Sequence, residues 1–127
     1  MSSTLIDWEA LRASAAEAAT RAYAPYTATR IGAAGLIDDG QVVVGCNVEN
    51  AAAGVGLCAE CGVVSASHTA SSGRLIAVAV CDESGLDVPT CGRCRQLLHE
   101  VAGPDLPVNE TRVGDLLPGA FGPGDRA

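Results

Sequence analysis

The stretch GLCAECGVV, residues 56–64, holds Cys58 and Cys61 with Glu60 between them. A second cysteine pair with the same spacing lies in TCGRCRQ, residues 90–96. Two cysteines separated by two residues are typical of zinc sites. The two pairs could form a closed structural site of four thiolates. They could also form an open catalytic site, in which zinc activates water and the neighbouring carboxylate moves protons. Spacing alone leaves both interpretations open.

Upstream of these pairs, the hydrophobic period predicts one helix and one hairpin. The helix has apolar residues at alternating spacings of three and four, namely Trp8, Leu11, Ala15, Ala18 and Ala22. Its candidate N-caps are Ser3, Thr4 and Asp7, and Pro25 ends it. Two short apolar runs, 31–37 and 41–48, flank the turn-forming cluster Asp38-Asp39-Gly40 and are expected to pair.

The rest of the chain alternates helix and strand. A second helix is predicted from Cys58 to the Ser-Ser-Gly at 71–73, and a third from Cys91 to Val101. Between them, the uninterrupted apolar run 74–81 is typical of a central strand. A short strand at 106–109, containing a proline, is predicted at the sheet edge, and the segment 114–123 has room for one helical turn. The order indicates one α/β domain over residues 1–127, a sheet covered by helices.

Three of the paired cysteines fall at predicted helix starts: Cys58 at the second helix, and Cys91 and Cys94 in the first turn of the third. Free N–H groups and the partial positive charge of a helix N-terminus lower a thiol pKa and favour the thiolate that a metal needs. Two helix starts could therefore converge on one zinc ion. Cys46 and Cys81 lie in predicted strands without partner spacing and are expected to be ordinary buried residues.

The formal net charge is −7 and the chain contains no lysine. A polynucleotide partner would require a basic surface to replace phosphate counterions, so the charge argues against nucleic acid as partner or substrate. The N-terminus has no signal-peptide pattern and no stretch is apolar enough to span a bilayer. We therefore expect a cytoplasmic protein without a membrane partner, in which reduced thiols and metal ligation are favoured over disulfides.

Several separated motifs together resemble the small, homotetrameric, zinc-dependent cytidine deaminase family. They are CAE at 58–60, CGRCRQ at 91–96, YAPYT at 23–27, IGAAGLIDDG at 31–40, GCNVEN at 45–50 and LLPGAFGP at 116–123. The resemblance covers nearly the whole chain. It implies a three-layer α/β/α sandwich with a mixed sheet, and a homotetramer whose active sites are shared between subunits.

The resemblance also implies roles for individual residues. Cys58, Cys91 and Cys94 are expected to hold zinc, with hydroxide as the fourth ligand attacking the pyrimidine carbon that bears the amino group. Glu60 is expected to take the proton of the water, give it to the ring nitrogen and help protonate the departing ammonia. The Ala59 backbone N–H is expected to hold the base. The residues expected to bind the ribose hydroxyl are Asn47 and Glu49.

Other positions depart from the family pattern. Cys61 stands where many relatives have an arginine near the thiolates, and the missing charge could be supplied by Arg93 or Arg95. Thr29, Ala53 and Thr90 replace a stacking aromatic residue, a tyrosine and a proline. A tetramer would keep one aromatic cover for the base, Phe121 from a neighbouring subunit.

The function expected from the resemblance is hydrolytic deamination of cytidine and deoxycytidine, as in pyrimidine salvage. Because the departures remove bulk from one side of the base pocket, an alternative is a widened site for bulkier or N4-substituted cytosine nucleosides, including nucleoside antibiotics. From another class, the alternative is a non-enzymatic interaction module built on structural zinc, with Cys61 as a fourth ligand.

Overall fold

A computed structural model describes residues 5–126 of the chain. Its helices are α1 (Trp8–Ala19), α2 (Ala59–Ala70), α3 (Gly92–Ala102) and the one-turn α4 (Val113–Leu116). Its strands are β1 (Ile31–Ile37), β2 (Val42–Cys46), β3 (Leu75–Asp82), β4 (Pro107–Val108) and β5 (Thr111–Arg112). Within this part of the chain, no helix has the length and hydropathy needed to cross a bilayer.

The strands form one mixed sheet in the order β2-β1-β3-β4-β5. β1 is antiparallel to both β2 and β3, whereas β3 and β4 are parallel. The predicted hairpin is confirmed: Leu36 pairs with Val42, and Gly40 at the turn has φ of 93°, a conformation that glycine adopts at little cost. The predicted central strand is also confirmed, because β3 lies between β1 and β4.

The prediction of an edge strand at 106–109 is wrong. β4 has a neighbour on each side, and the edge is β5, which the sequence pattern did not indicate. The chain reverses at Asn109, whose φ of 54° is in the left-handed region that asparagine tolerates. Pro107 is accommodated because β4 is only two residues long and pairs with β3 through Val78 and Val108 alone.

Helices cover both faces of the sheet, as expected for three layers. On one face α1 packs on the alanine-rich sides of β1 and β3, in a cluster that contains Leu11, Ala15, Ala34, Ala77, Ala79 and Cys81. On the other face α2 and α3 pack on the sheet through larger side chains, which are Val63 and Leu98 from the helices and Ile37, Val78 and Val80 from the strands. Cys81 is buried as predicted, but Cys46 is only half-buried because β2 is an edge strand.

The first turn of α2 lies directly against β2. A Cβ atom at Gly45 would come within 2.3 Å of the carbonyl oxygen of Ala59, and one at Gly62 within 3.0 Å of the Gly45 Cα. Only glycine at both positions permits this approach. The strand therefore fixes the position of the helix start that carries Cys58 and Glu60.

The N-cap of α1 is Asp7, whose side chain accepts a hydrogen bond of 3.0 Å from the backbone N–H of Ala10. Satisfying a free amide at a helix start is the usual reason for aspartate at this position. The other two candidates, Ser3 and Thr4, lie outside the described residues.

Candidate active site

Three cysteines converge between the starts of α2 and α3. Cys58 is the N-cap of α2, Cys91 is the N-cap of α3 rather than a residue of its first turn, and Cys94 lies in that turn. Their Sγ atoms all lie within 4.8 Å of one another, and those of Cys58 and Cys91 are 3.5 Å apart. Among residues 5–126 this cluster does not extend to Cys61.

The protonation of the cluster is set by burial and by its own hydrogen bonds. Burial raises the pKa of the Cys58 thiol to about 11 and also raises the pKa of Cys94. At Cys91 burial acts in the same direction, but hydrogen bonds from the Cys94 backbone N–H and from the Cys58 and Cys94 side chains outweigh it, and the pKa is lowered. Three thiols this close are a suitable donor set for zinc, which binds thiolates and favours their deprotonation.

The side chain of Glu60 points from the first turn of α2 into the same region. It is only 3% exposed, and its Oε2 accepts a hydrogen bond from the hydroxyl of Thr90, which is 2% exposed. Thr90 directly precedes Cys91 in the chain. The carboxylate and the sulfur cluster are thus joined through one loop.

A cavity of about 460 Å³ opens beside the cluster. Seven of the predicted site residues line it: Asn47, Glu49, Ala53, Cys58, Ala59, Glu60 and Cys91. Cys94 is fully buried behind them. Because two of the three thiols face the cavity, a metal held by the cluster would be open to a small molecule on that side.

Other lining residues were not singled out from the sequence. The apolar ones among them are Ile31, Val48, Leu57, Val80, Val88 and Pro89, and the polar ones include Tyr26 and Thr27. Tyr26 and Thr27 belong to the motif YAPYT, so that motif could have indicated them. The apolar lining comes from five separate parts of the chain, and apart from Ile31, Val48 and Leu57, which lie in quoted motifs, it carries no local signal. A mostly apolar wall with a few polar groups suits a flat heterocycle.

The side chains of Asn47 and Glu49 hold the loop between α1 and β1. Asn47 accepts a hydrogen bond of 2.8 Å from the Ile31 N–H and donates one of 2.8 Å to the Thr29 carbonyl oxygen.

Glu49 accepts hydrogen bonds from the backbone N–H groups of Tyr26 and Thr27, at 2.9 and 3.2 Å, and another from the Thr27 hydroxyl. The hydroxyl contact is the main cause that lowers the pKa of Glu49, and the two N–H groups act in the same direction.

The remaining predicted residues lie around the cavity rather than in its wall. Among the described lining residues, neither Thr29 nor Phe121 appears, and the Phe121 side chain is 59% exposed. The guanidinium of Arg93 donates to the Gly56 carbonyl oxygen at 3.2 Å. That of Arg95 donates to the carbonyl oxygens of Thr90 and Leu116, at 2.8 and 2.9 Å. Both arginines therefore fasten backbone segments next to the thiols.

Comparison with known proteins agrees with this geometry. Residues 7–109 match the family described as the cytidine and deoxycytidylate deaminase zinc-binding region. The chain is 53% identical over 121 residues to a cytidine deaminase of Mycobacterium tuberculosis, with 92% of this chain and 91% of that protein covered. The chain belongs to the cytidine deaminase family. Zinc is the metal of this family, and the cluster of Cys58, Cys91 and Cys94 fits it.

Solved cytidine deaminases share the fold. A crystal structure of a variant of the M. tuberculosis cytidine deaminase superposes with a TM-score of 0.92 at 49% identity, covering 96% of this chain and all of that one. The cytidine deaminase of Burkholderia pseudomallei matches with a TM-score of 0.81 at 37% identity, covering 92% and 100%. The predicted family and the predicted three-layer fold are confirmed.

Proposed function

We propose that the chain is a single-domain, zinc-dependent deaminase that converts cytidine and deoxycytidine into uridine and deoxyuridine with release of ammonia. The observation that carries this proposal is the buried carboxylate of Glu60 in the same cavity wall as two of three clustered thiols. A structural zinc module has no use for such a carboxylate. Family membership supports the same reaction.

In the proposed mechanism the residues of α2 and α3 divide the work. Zinc held by Cys58, Cys91 and Cys94 supplies the Lewis acidity that makes water a nucleophile near neutral pH. Glu60 takes a proton from the water and delivers it to the ring nitrogen next to the carbon under attack. It then takes the remaining proton from the hydroxyl group now on that carbon and passes it to the amino group, which leaves as ammonia while the ring carbonyl of uridine forms. The Ala59 N–H, at the start of α2, holds the base in register.

Ribose recognition is assigned to Asn47 and Glu49, which line the same cavity as Cys58 and Glu60. A carboxylate can accept about four hydrogen bonds, and Glu49 receives three from Tyr26 and Thr27. One acceptor position therefore remains for a sugar hydroxyl. The lowered pKa of Glu49 keeps it ionised at neutral pH, which suits a hydrogen-bond acceptor.

We further propose a homotetramer with shared active sites, acting on free nucleosides of pyrimidine salvage in the cytoplasm. The exposed ring of Phe121 supports an assembly in which a second copy uses it to cover the base. The net charge of −7 supports a nucleoside rather than a nucleic acid as substrate.

A second candidate substrate class is the set of bulkier or N4-substituted cytosine nucleosides. Ala53 contributes only a methyl group to the cavity wall, and Thr29 is absent from the described wall residues. A comparison of cytidine with N4-methylcytidine, using wild type and Ala53→Tyr, tests this candidate. A widened pocket predicts that Ala53→Tyr lowers turnover of N4-methylcytidine more than that of cytidine. Equal effects on the two substrates would count against it.

The primary test is absorbance-monitored deamination of cytidine and deoxycytidine by zinc-loaded protein, with zinc content measured in the same sample. We expect turnover of both substrates and one zinc per chain. Bound zinc without turnover of any cytosine nucleoside would favour the structural zinc module.

A further inference from the structure

The hydrogen bond between Thr90 and Glu60 joins two residues that are 30 positions apart and almost completely buried. Thr90 lies in the loop that leads into α3, and Glu60 lies in the first turn of α2. A buried side-chain contact across two elements is specific, because both groups have given up water to make it. The atom that accepts this hydrogen bond is Oε2 of Glu60, and the carboxylate of Glu60 is the group proposed to transfer the protons.

Thr90 itself is held firmly in place. The guanidinium of Arg95 donates to its carbonyl oxygen at 2.8 Å, and the same guanidinium is anchored on Leu116 at 2.9 Å. Pro89 restricts the backbone on one side, and Cys91 begins α3 on the other. The β-branched side chain further limits the rotation of the hydroxyl. The donor therefore has a defined position relative to the thiols.

The other oxygen of Glu60 has no such partner. Within residues 5–126, Oε1 makes no hydrogen bond. Oε1 is also not one of the buried polar atoms without a hydrogen-bond partner, so it keeps some exposure. Glu60 lines the cavity, so Oε1 is the oxygen open to a ligand there. The terminal torsion of a glutamate side chain is broad and roughly two-fold. A donor on one oxygen is what restricts that torsion and directs the other oxygen towards the cavity.

We propose that Thr90 is a positioning residue for Glu60, holding Oε2 so that Oε1 carries the protons between water and base. This inference rests on the proposed deaminase function. The carboxylate must serve two points in turn, the water and the ring nitrogen, and rotation away from either point costs rate rather than affinity. Thr90 is therefore expected to act on kcat and to leave the binding of cytidine nearly unchanged.

The test compares zinc-loaded, full-length wild type with Thr90→Val, which keeps the shape and removes the hydroxyl, and Thr90→Ser, which keeps the hydroxyl. Thr69→Val is the matched control, since Thr69 is an exposed threonine at the distal end of α2. We expect kcat for cytidine to fall about 10- to 100-fold in Thr90→Val, with KM changed by less than about threefold. Thr90→Ser should recover kcat to within about threefold of wild type, and Thr69→Val should match wild type. Zinc content and the unfolding transition are measured for each protein.

Three results would overturn the proposal while leaving the deaminase function intact. One is a Thr90→Val protein as fast as wild type. Another is a Thr90→Ser protein as slow as Thr90→Val, because the hydroxyl would then not be the active feature. The third is loss of zinc or of cooperative unfolding in Thr90→Val, which would assign Thr90 a structural role. Absence of turnover in the wild type itself would overturn both this inference and the proposed function.

Discussion

Replacing Gly45 by alanine should shift the start of α2 and slow the enzyme, although Gly45 does not contact the thiols. The new Cβ would lie 2.3 Å from the Ala59 carbonyl oxygen and 3.1 Å from the Val63 nitrogen. Real Cβ atoms essentially never come within 3.0 Å of a non-bonded atom, and 3.0 − 2.3 Å is 0.7 Å, so β2 and the start of α2 must shift apart by about 0.7 Å. The neighbouring atoms are backbone and have no side-chain freedom with which to yield.

The expected magnitudes follow from this displacement. Overpacking of this kind costs about 1–3 kcal/mol, which for a chain of this size lowers Tm by about 3–12 °C. Glu60 moves with the helix, and a misplacement approaching 1 Å can cost about 100-fold in rate. We therefore expect kcat for cytidine to fall between about 10- and 100-fold.

The assay pairs thermal unfolding with steady-state deamination, both on zinc-loaded protein. Gly62→Ala is the intermediate case, because its Cβ would meet the Gly45 Cα at 3.0 Å, and Gly124→Ala is the control, because nothing lies within 4 Å. The fall in Tm and the fall in kcat should both be largest for Gly45→Ala, smaller for Gly62→Ala and smallest for Gly124→Ala. A Gly45→Ala protein with the Tm and kcat of the Gly124→Ala control would refute the argument that this glycine sets the position of Glu60.

Three further outcomes are expected. Asp7→Ala removes the α1 N-cap and should lower the free energy of unfolding by about 1 kcal/mol, measured by urea denaturation. Thr27→Val removes the main cause of the lowered Glu49 pKa, so NMR titration should show that pKa rising towards its ordinary value of 4.5. A lowered pKa of Glu49 stabilises the folded protein at pH values above the pKa of the unfolded chain, and this stabilisation is lost as pH falls through the pKa of the folded protein. Wild type should therefore be more stable than Thr27→Val at pH 7, and the difference in stability should shrink below about pH 4.5. Removal of zinc by a chelator should abolish turnover reversibly and expose two additional reactive thiols, those of Cys58 and Cys91, which face the cavity.

Local sequence patterns were sufficient for the main elements of the fold. The apolar runs on either side of Asp38-Asp39-Gly40 predicted the hairpin, and the uniformly apolar run ending at Cys81 predicted the central strand β3. Both signals are local, because they depend on side-chain period and turn chemistry over fewer than about ten residues. The cysteines at the helix starts were likewise recognisable from spacing and from the residues around them.

Features that depend on distant parts of the chain could not be predicted in this way. β5 consists of two exposed polar residues, and it exists because Asn109 reverses the chain and places them beside β4. Cys46 is half-buried because β2 lies at the sheet edge, and strand order is not encoded in the hydrophobicity of β2 itself. The contact between Thr90 and Glu60 spans 30 residues and requires the relative placement of α2 and α3.

The most direct measurement is turnover of cytidine by Glu60→Gln compared with wild type, with zinc content determined on the same preparations. The substitution keeps the size of the side chain and removes its capacity to accept and return protons. We predict that Glu60→Gln retains one zinc per chain and loses about 100- to 10,000-fold in kcat. A Glu60→Gln protein that binds zinc and deaminates cytidine at the wild-type rate would contradict the assignment of Glu60 and, with it, the proposed mechanism.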